Sequence, residues 1–390
     1  MRDDLLALAK DMQQPARQFR QALHQIPETR YETPKTRSFI LDKMRGFGVE
    51  SIKETAGGII CDLDIDGAAD RMLFRADFDA LPITEETGLP YASTHPGKSH
   101  ACGHDMHTAM LLAFVKSVRQ NGFRPAHNLR IVFQDAEENP GTSPNPISGG
   151  DVLVRDGVLD GVSSVHMVHV ASLEQPGVFY SRAGALFGNS GRIKMNIRAT
   201  GGHAAAPHIG SNVLRVTHAI QNAMASFGAR NLPPYEALAL EPVILKAGTA
   251  SNIMPAEAEM WYGCRTLLDR EAHAQFMSKI ESEVRTIVAG FPGASVDFQT
   301  ILGHPAAINN EADVARVTTI LKGNGLSVQT IEPRLGGEDF AYYLNAGVPG
   351  SAWLLGAHQE GCGDHHTPTF SPDDGVLWRG VLFWLLLAAA

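Results

Sequence analysis

The spacing of apolar and polar positions changes along the chain, and each change predicts a different kind of element. Residues 5–30 carry apolar positions at helical spacing as far as Pro27. A second helix is marked at both ends: Thr33 can cap it, Pro34 suits its first turn, and Gly46 and Gly48 close it. Short apolar runs then take over. Gly58-Ile59-Ile60-Cys61-Asp62-Leu63, Arg71-Met72-Leu73-Phe74-Arg75-Ala76, Leu129-Arg130-Ile131-Val132-Phe133-Gln134 and Val162 to His169 read as strands, with a helical run from about Asp105 to Lys116 among them. Strands separated by helical segments predict an α/β fold with a mostly parallel, helix-covered sheet. Ligands of such sheets sit beyond the carboxyl ends of the strands. Asp77 and Asp79, Glu137 and Glu138, and His169 fall at those ends.

From about Phe187 to Ile301 the texture differs. Arg192 to Arg198 and Glu257 to Tyr262 alternate polar and apolar residues, and the helical segments Asn212 to Ser226 and Arg270 to Gly290 lie between and after them. Half-buried strands with two helices predict a smaller, inserted α+β domain whose sheet is covered on one face. The expected division is therefore 1–186 with 302–390 for one domain and 187–301 for the other. After the insertion come a helix at 311–323 and an apolar run from Gly380 to Ala390. That run is far short of the roughly 20 residues that span a bilayer, and it reads as a docked terminal helix. The first residues lack the apolar core of a signal peptide, so a soluble cytoplasmic protein is expected.

Composition narrows the classes further. Hydrophobic residues make up 44% of the 390 and charged residues 19%, which supplies a core and excludes global disorder. With 33 Lys+Arg against 42 Asp+Glu the formal charge is −9, the wrong sign for a general nucleic-acid binder. Four cysteines do not make a disulfide scaffold in a chain of this length and point to a reducing compartment.

The candidate chemistry is concentrated in a few loops. His100, Cys102, His104, Asp105 and His107 crowd a glycine-containing loop leading into a helix. Thiolate, imidazole and carboxylate together suit a borderline-soft divalent ion. Glu137 and Glu138 follow an apolar strand; on extended backbone their side chains would point to opposite sides, one toward a metal and one toward water and substrate. His169 ends another strand, and His365-His366 precede Thr367-Pro368. A lone histidine is most often a satisfied core imidazole, so the reading depends on these donors converging.

The chain resembles, over nearly its full length, the aminoacylase/hippurate-hydrolase/carboxypeptidase family of metallopeptidases, and within it the amidohydrolase branch that includes auxin-conjugate hydrolases. The resemblance is carried by Leu23-His24-Gln25-Ile26-Pro27-Glu28, Arg75-Ala76-Asp77-Phe78-Asp79-Ala80-Leu81-Pro82, His100-Ala101-Cys102-Gly103-His104-Asp105-Met106-His107 and Ala136-Glu137-Glu138. Further on it is carried by Gly201-Gly202-His203-Ala204-Ala205-Ala206-Pro207-His208, Asn252-Ile253-Met254-Pro255, Gly337-Glu338-Asp339-Phe340 and His366-Thr367-Pro368-Thr369-Phe370. It implies two divalent metal ions per subunit (zinc or manganese, with cobalt or nickel compatible), Cys102 bridging as thiolate and His104, Glu138, His169 and His366 completing the ligands. Glu137 matches the general base, and Asp77 an acid that orients a ligand imidazole. His24, His100 and His107 match no ligand role.

The resemblance also implies that the 187–301 insertion is a lid that pairs subunits into a homodimer, with His203 reaching the partner's site to hold an oxyanion. Asn252 and Arg265 match residues that contact the substrate carboxylate or oxyanion. The implied activity is metal-dependent hydrolysis of N-acyl amino acids, small-molecule substrates, without nucleic acid or membrane partners. A dipeptidase or carboxypeptidase acting on small peptides, a phosphoesterase, and a non-catalytic metal-binding protein are the alternatives on the same scaffold. Three departures bear on the substrate: Asp135 where the branch has proline, an apparent insertion Asn139-Pro140-Gly141-Thr142-Ser143-Pro144-Asn145-Pro146, and Gly210-Ser211-Asn212 where Asp-Pro is usual.

Overall fold

A strand whose side chains are apolar on both faces must be covered on both faces, and two segments have that character. Gly350–Gly356 is buried at every position, and β1 (Arg71–Asp77) at all but its first. With β2 (Asn128–Gln134) and β3 (Ser164–Ala171) they form the parallel centre of an eight-stranded sheet, in the spatial order 128–134, 71–77, 164–171, 350–356. The hairpin Ile52–Thr55 and Gly58–Leu63 extends one edge antiparallel, and the short strands Phe179–Ser181 and Val328–Thr330 extend the other. This is the α/β class that the alternating strands and helices predict. Because the four central strands run parallel, their carboxyl ends share one edge; Asp77 is level with Gln134, and Leu354 with His169.

The computed structural model describes residues 2–138 and 148–390, so the 139–146 segment read as an insertion lies outside the described residues. The chain divides into two compact units, one of Met1–Leu186, Ile308–Glu332 and Asp339–Ala390, the other of Phe187–Ala307 and Pro333–Glu338. The segment 187–301 lies within the second, which also takes in 302–307 and 333–338.

In the first unit, α1 (His104–Gln120) packs on β1 and is in turn covered by the helices Gln13–His24 and Leu377–Ala389. The terminal helix is docked by aromatic contacts: Trp384 lies 4.7 Å from Phe74 and Phe383 5.6 Å from Phe179, centroid to centroid. Such pairs add about 0.5–1.5 kcal/mol each to the burial of the rings. Among the described residues no helix is long and apolar enough to cross a membrane.

Two local readings change. Residues 5–30 form two helices, Arg2–Asp11 and Gln13–His24, the second ending ahead of Ile26-Pro27, where the following proline disfavours helical backbone. Thr33 precedes the helix Pro34–Gly46 but makes no side-chain cap, because its hydroxyl donates instead to Asp135 Oδ2 at 2.5 Å.

The second unit is an antiparallel sheet of β4 (Asn189–Arg198), β5 (Leu238–Ala247), β6 (Glu257–Thr266) and β7 (Ser295–Leu302), ordered β5-β6-β4-β7. Ile193, Met195, Ile197, Met260, Tyr262 and Cys264 alternate onto one face and pack with Val216 and Ile220 of α2 (Val213–Ala225) and Phe276 and Ile280 of α3 (Arg270–Ala289). Asn212 is the cap of α2, its side chain accepting from Leu214 N at 2.9 Å. The departure at Gly210-Ser211-Asn212 thus starts a helix.

Candidate metal centre

The loop into α1 is held in place by charge. Asp105, in the first turn, accepts from Met106 N at 3.0 Å through Oδ1, and through Oδ2 from Arg20 Nε at 3.0 Å and His24 Nδ1 at 2.7 Å, all three side chains buried. An acid there also suits the positive end of the helix. Gly103, between Cys102 and His104, has φ 90°, and a Cβ on it would stand 2.3 Å from Val170 Cγ2. Only glycine lets the loop lie this close to β3.

His104 and His169 each have one nitrogen committed to a fixed partner, whereas His100 is buried with both ring nitrogens unpartnered. His104 Nδ1 donates to the Asp79 carbonyl at 2.9 Å, and His169 Nδ1 to the Val170 carbonyl at 2.6 Å. Both Nε2 atoms are thereby left as lone-pair donors, the usual way a backbone carbonyl orients a metal-binding imidazole. His169 Nε2 lies 3.5 Å from Cys102 Sγ, and His104 Nε2 lies 3.9 Å from Glu138 Oε1. His366, at φ 62°, brings its Nε2 within 3.0 Å of Glu138 Oε1. His365 is also close: its Nδ1 lies 3.7 Å from Cys102 Sγ, while its Nε2 accepts from Ser172 N at 3.3 Å.

The acidic pair is set by an acid that carries no assigned role in the sequence reading. Ala136 has φ 51°, so the backbone before Glu137 is not extended and the opposite-sides rule does not operate. Instead Glu137 N and Glu138 N each donate at 3.1 Å to the two oxygens of the Asp79 carboxylate. Both glutamates consequently place an oxygen within 4.8 Å of His104. They differ in what they face: Glu138 approaches His366, whereas Glu137 Oε1 accepts from Asp339 N at 3.2 Å. Asp79 and Asp339 both lie in motifs that carry the resemblance; their part in backbone clamping has no signature in residue type or spacing.

Asp77 is wholly buried and does not bond the candidate ligands directly. Its Oδ1 takes His107 Nδ1 at 2.6 Å, its Oδ2 takes Arg75 at 2.6 Å, and it stands 3.7 Å from His104 Nε2. His107 Nε2 in turn accepts from Val170 N at 2.9 Å, so the Asp77–His107 pair ties α1 to β3 beside His169.

The donors fall into overlapping groups. Cys102, His104 and His169 form one set of mutually close ligand atoms; Cys102, Glu138 and His366 form another. The shared member is the thiol, as a bridging ligand requires. One atom argues that the residues fit a cation: His104 Nε2 is buried and makes no hydrogen bond, a cost that coordination removes, while Glu138 Oε1 meets His366 Nε2 at 3.0 Å. The field agrees. Burial disfavours the charged form of Asp77, yet Arg75, His104 and His107 hold it well below the usual carboxylate range. Burial likewise opposes a charged His104, but Asp77 and Cys102 raise its pKa well above that of a free imidazole. A site that draws a proton onto a buried imidazole this strongly favours positive charge. Burial and then Glu138 push the Cys102 thiol up, and a divalent ion reverses that by ionising a coordinating thiol.

In the second unit, the two-residue strand Gly202–His203 pairs antiparallel with Ile253–Met254, and Ala204 N donates to the Asn252 carbonyl at 3.0 Å. His203 and Asn252 are thus neighbours in that unit, with His203 exposed and its Nδ1 accepting from Ala205 N at 3.0 Å. Arg265 is on β6, half-buried, with no acid among its electrostatic neighbours.

The model of peptidase family M20/M25/M40 matches residues 73–390. Similar relatives include a protein named thermostable carboxypeptidase 1 from Saccharolobus solfataricus, 31% identical over 95% of this chain and 94% of its own length. Another, named N-acetyl-L-cysteine deacetylase, from Bacillus subtilis, is 32% identical over 93% and 85%. A third, named N-acetyldiaminopimelate deacetylase, from Halalkalibacterium halodurans, is 30% identical over 92% and 94%. Among solved structures, a Bacillus subtilis protein described as a dinuclear metal-binding peptidase superposes with TM-score 0.83 at 25% identity, covering 97% of this chain and 98% of that one.

Proposed function

The chain belongs to peptidase family M20/M25/M40 and is a hydrolase of that family, and from that premise we propose that it cleaves the amide bond of N-acyl amino acids with water as nucleophile. Cys102, His104, Glu138, His169 and His366 would hold two divalent ions, zinc or manganese by donor type, with cobalt and nickel compatible. Bound there, such ions would lower the pKa of water from about 15.7 to roughly 7 and would supply a Lewis acid for the scissile carbonyl.

Glu137 takes the proton from the attacking water as the new C–O bond forms and passes it to the departing amine nitrogen as the C–N bond breaks. Acid–base work of this kind is worth roughly 10²–10⁴ in rate. The Asp339 amide fixes its carboxylate for that transfer. Asp77 steadies the imidazoles through His107 and Arg75. His203 donates to the oxyanion in the site of a second copy, and Asn252 and Arg265 contact the substrate carboxylate or the oxyanion. The unit that carries them also pairs two copies: β5 is an edge strand with Val243 61% and Leu245 45% exposed, a surface that a second copy would cover.

One observation carries the reading: two adjacent glutamates are clamped by one carboxylate so that both approach His104, and Glu138 goes on to meet His366 while Glu137 accepts from Asp339 N. The test is Glu137→Gln, assayed on acetyl and benzoyl conjugates of several amino acids with the metal content measured alongside. Retained metal with turnover down at least about 100-fold is expected; normal turnover would refute the assignment. The relative named as a carboxypeptidase supports a second reading, hydrolysis of small peptides, and dipeptides belong in the same panel.

A further inference from the structure

The face of the second unit's sheet turned away from α2 and α3 carries its cations beside acids or rings, except at one end. Lys246 Nζ lies 3.0 Å from Glu259 Oε1, and Arg198 Nε 3.6 Å from Glu257 Oε1, each across neighbouring strands. Lys194 lies over the Trp261 ring at 5.3 Å. Arg192 and Arg265 break this pattern. In the β4–β6 register Arg192 stands opposite Gly263 and Arg265 opposite Ser190, which makes the two arginines diagonal neighbours on one face, about 7–8 Å apart at most between Cβ atoms.

Among the described residues, no carboxylate pairs with either guanidinium. Arg265 is half-buried nonetheless, and its pKa is pushed down by burial and then by the charge of Arg192. Between the two strands the cross-strand positions are small, Gly263 opposite Arg192 and Ser190 opposite Arg265, with Ile301 and Ala239 opposite them on the outer sides. Gly337 leaves Arg265 its room, since a Cβ there would come within 3.2 Å of both Arg265 Nη1 and His304 Cδ2. Two like charges have been brought together, one of them partly withdrawn from water. That arrangement is unfavourable until an anion arrives.

We propose that Arg192 and Arg265 together form a dicarboxylate subsite, so that the amino acid released by this enzyme is an acidic one. Arg265 takes the α-carboxylate, and Arg192 takes the carboxylate of the side chain. Two negative charges neutralise the pair, whereas a substrate with a single carboxylate leaves one guanidinium unmatched. The planar fork of each guanidinium suits a carboxylate bidentately. For the reaction this rests on the amidohydrolase reading; for binding it does not.

The experiment compares N-acetyl-L-glutamate with its uncharged isostere N-acetyl-L-glutamine on the full chain, by calorimetric binding and, separately, by hydrolysis. Wild type is expected to bind the glutamate conjugate about 10- to 100-fold more tightly, with kcat/KM following the same order. Arg192→Gln collapses that ratio to within about threefold, while Arg192→Lys, which keeps the charge but not the fork, retains part of it. Equal affinity of wild type for the two conjugates overturns the subsite, as does an Arg192→Gln variant that weakens both to the same degree. If no N-acyl amino acid is hydrolysed at all, the amidohydrolase reading falls, and the ratio of affinities still decides the subsite.

Discussion

Gly103→Ala tests whether the candidate ligand loop depends on one backbone conformation. At φ 90° an L-residue costs about 1–2 kcal/mol. The new methyl also meets Val170 Cγ2 at 2.3 Å, a contact that forces the neighbours to shift and adds roughly 1–3 kcal/mol. The sum, about 2–5 kcal/mol, is a large fraction of a typical domain's stability. Gly122→Ala is the control: Gly122 also has positive φ, 75°, but nothing lies within 4 Å of its would-be Cβ, so only the backbone part applies. Urea unfolding followed by tryptophan fluorescence suits the comparison, because Trp353, Trp378 and Trp384 lie in the first unit and only Trp261 in the second. Gly103→Ala should unfold at clearly lower urea than Gly122→Ala. It should also bind metal at least about tenfold more weakly, since Val170 adjoins His169 and the mutated residue joins Cys102 to His104. Two variants within ~0.5 kcal/mol of each other, with equal metal affinity, would show that the close approach at Gly103 does not shape the site.

Asp135 is buried, and burial ahead of all else pushes its pKa up to about 7 although Thr33 and Arg37 favour the ionised form. The unfolded chain therefore loses this proton near pH 4 while the native chain keeps it, and stability falls as pH rises from about 4 to about 7, by at most ~4 kcal/mol. Asp135→Asn keeps one acceptor oxygen, for Thr33 and Arg37, turns an NH2 toward Ala136 N and cannot ionise; moving from pH 5 to pH 8 should shift the stability difference in its favour, and parallel melting profiles would contradict this. Peroxide should inactivate the protein by oxidising Cys102, and prior metal loading should protect it; Cys102→Ser with full metal and full activity would remove the bridging role. Val243→Lys combined with Leu245→Lys should leave a folded monomer by light scattering; an unchanged dimer would place the subunit contact elsewhere.

The central strands were legible because a parallel sheet buried on both faces writes itself as continuous apolar runs, as in Arg71–Asp77 and Gly350–Gly356. The second unit was legible for the opposite reason: β4 and β6 alternate, since only one face is covered. The donors could be named from residue type and from the motifs that hold them. Their clamps could not. The Asp79 carboxylate acts on two backbone amides 58 and 59 positions away, and Asp339 N reaches Glu137 across 202 positions. Contacts of that kind leave no period in the sequence. Thr33 shows the same limit locally: a good cap by composition was drawn off by Asp135, a partner 102 positions away.

The last long strand of the chain, Gly350–Gly356, is seated between Ser164–Ala171 and Phe179–Ser181, in the middle of the sheet. During synthesis the ribosome must therefore deliver nearly the whole polypeptide before that gap closes, and until then two raw strand edges stand open to wrong partners. Premature termination would leave no smaller working version, only a chaperone client.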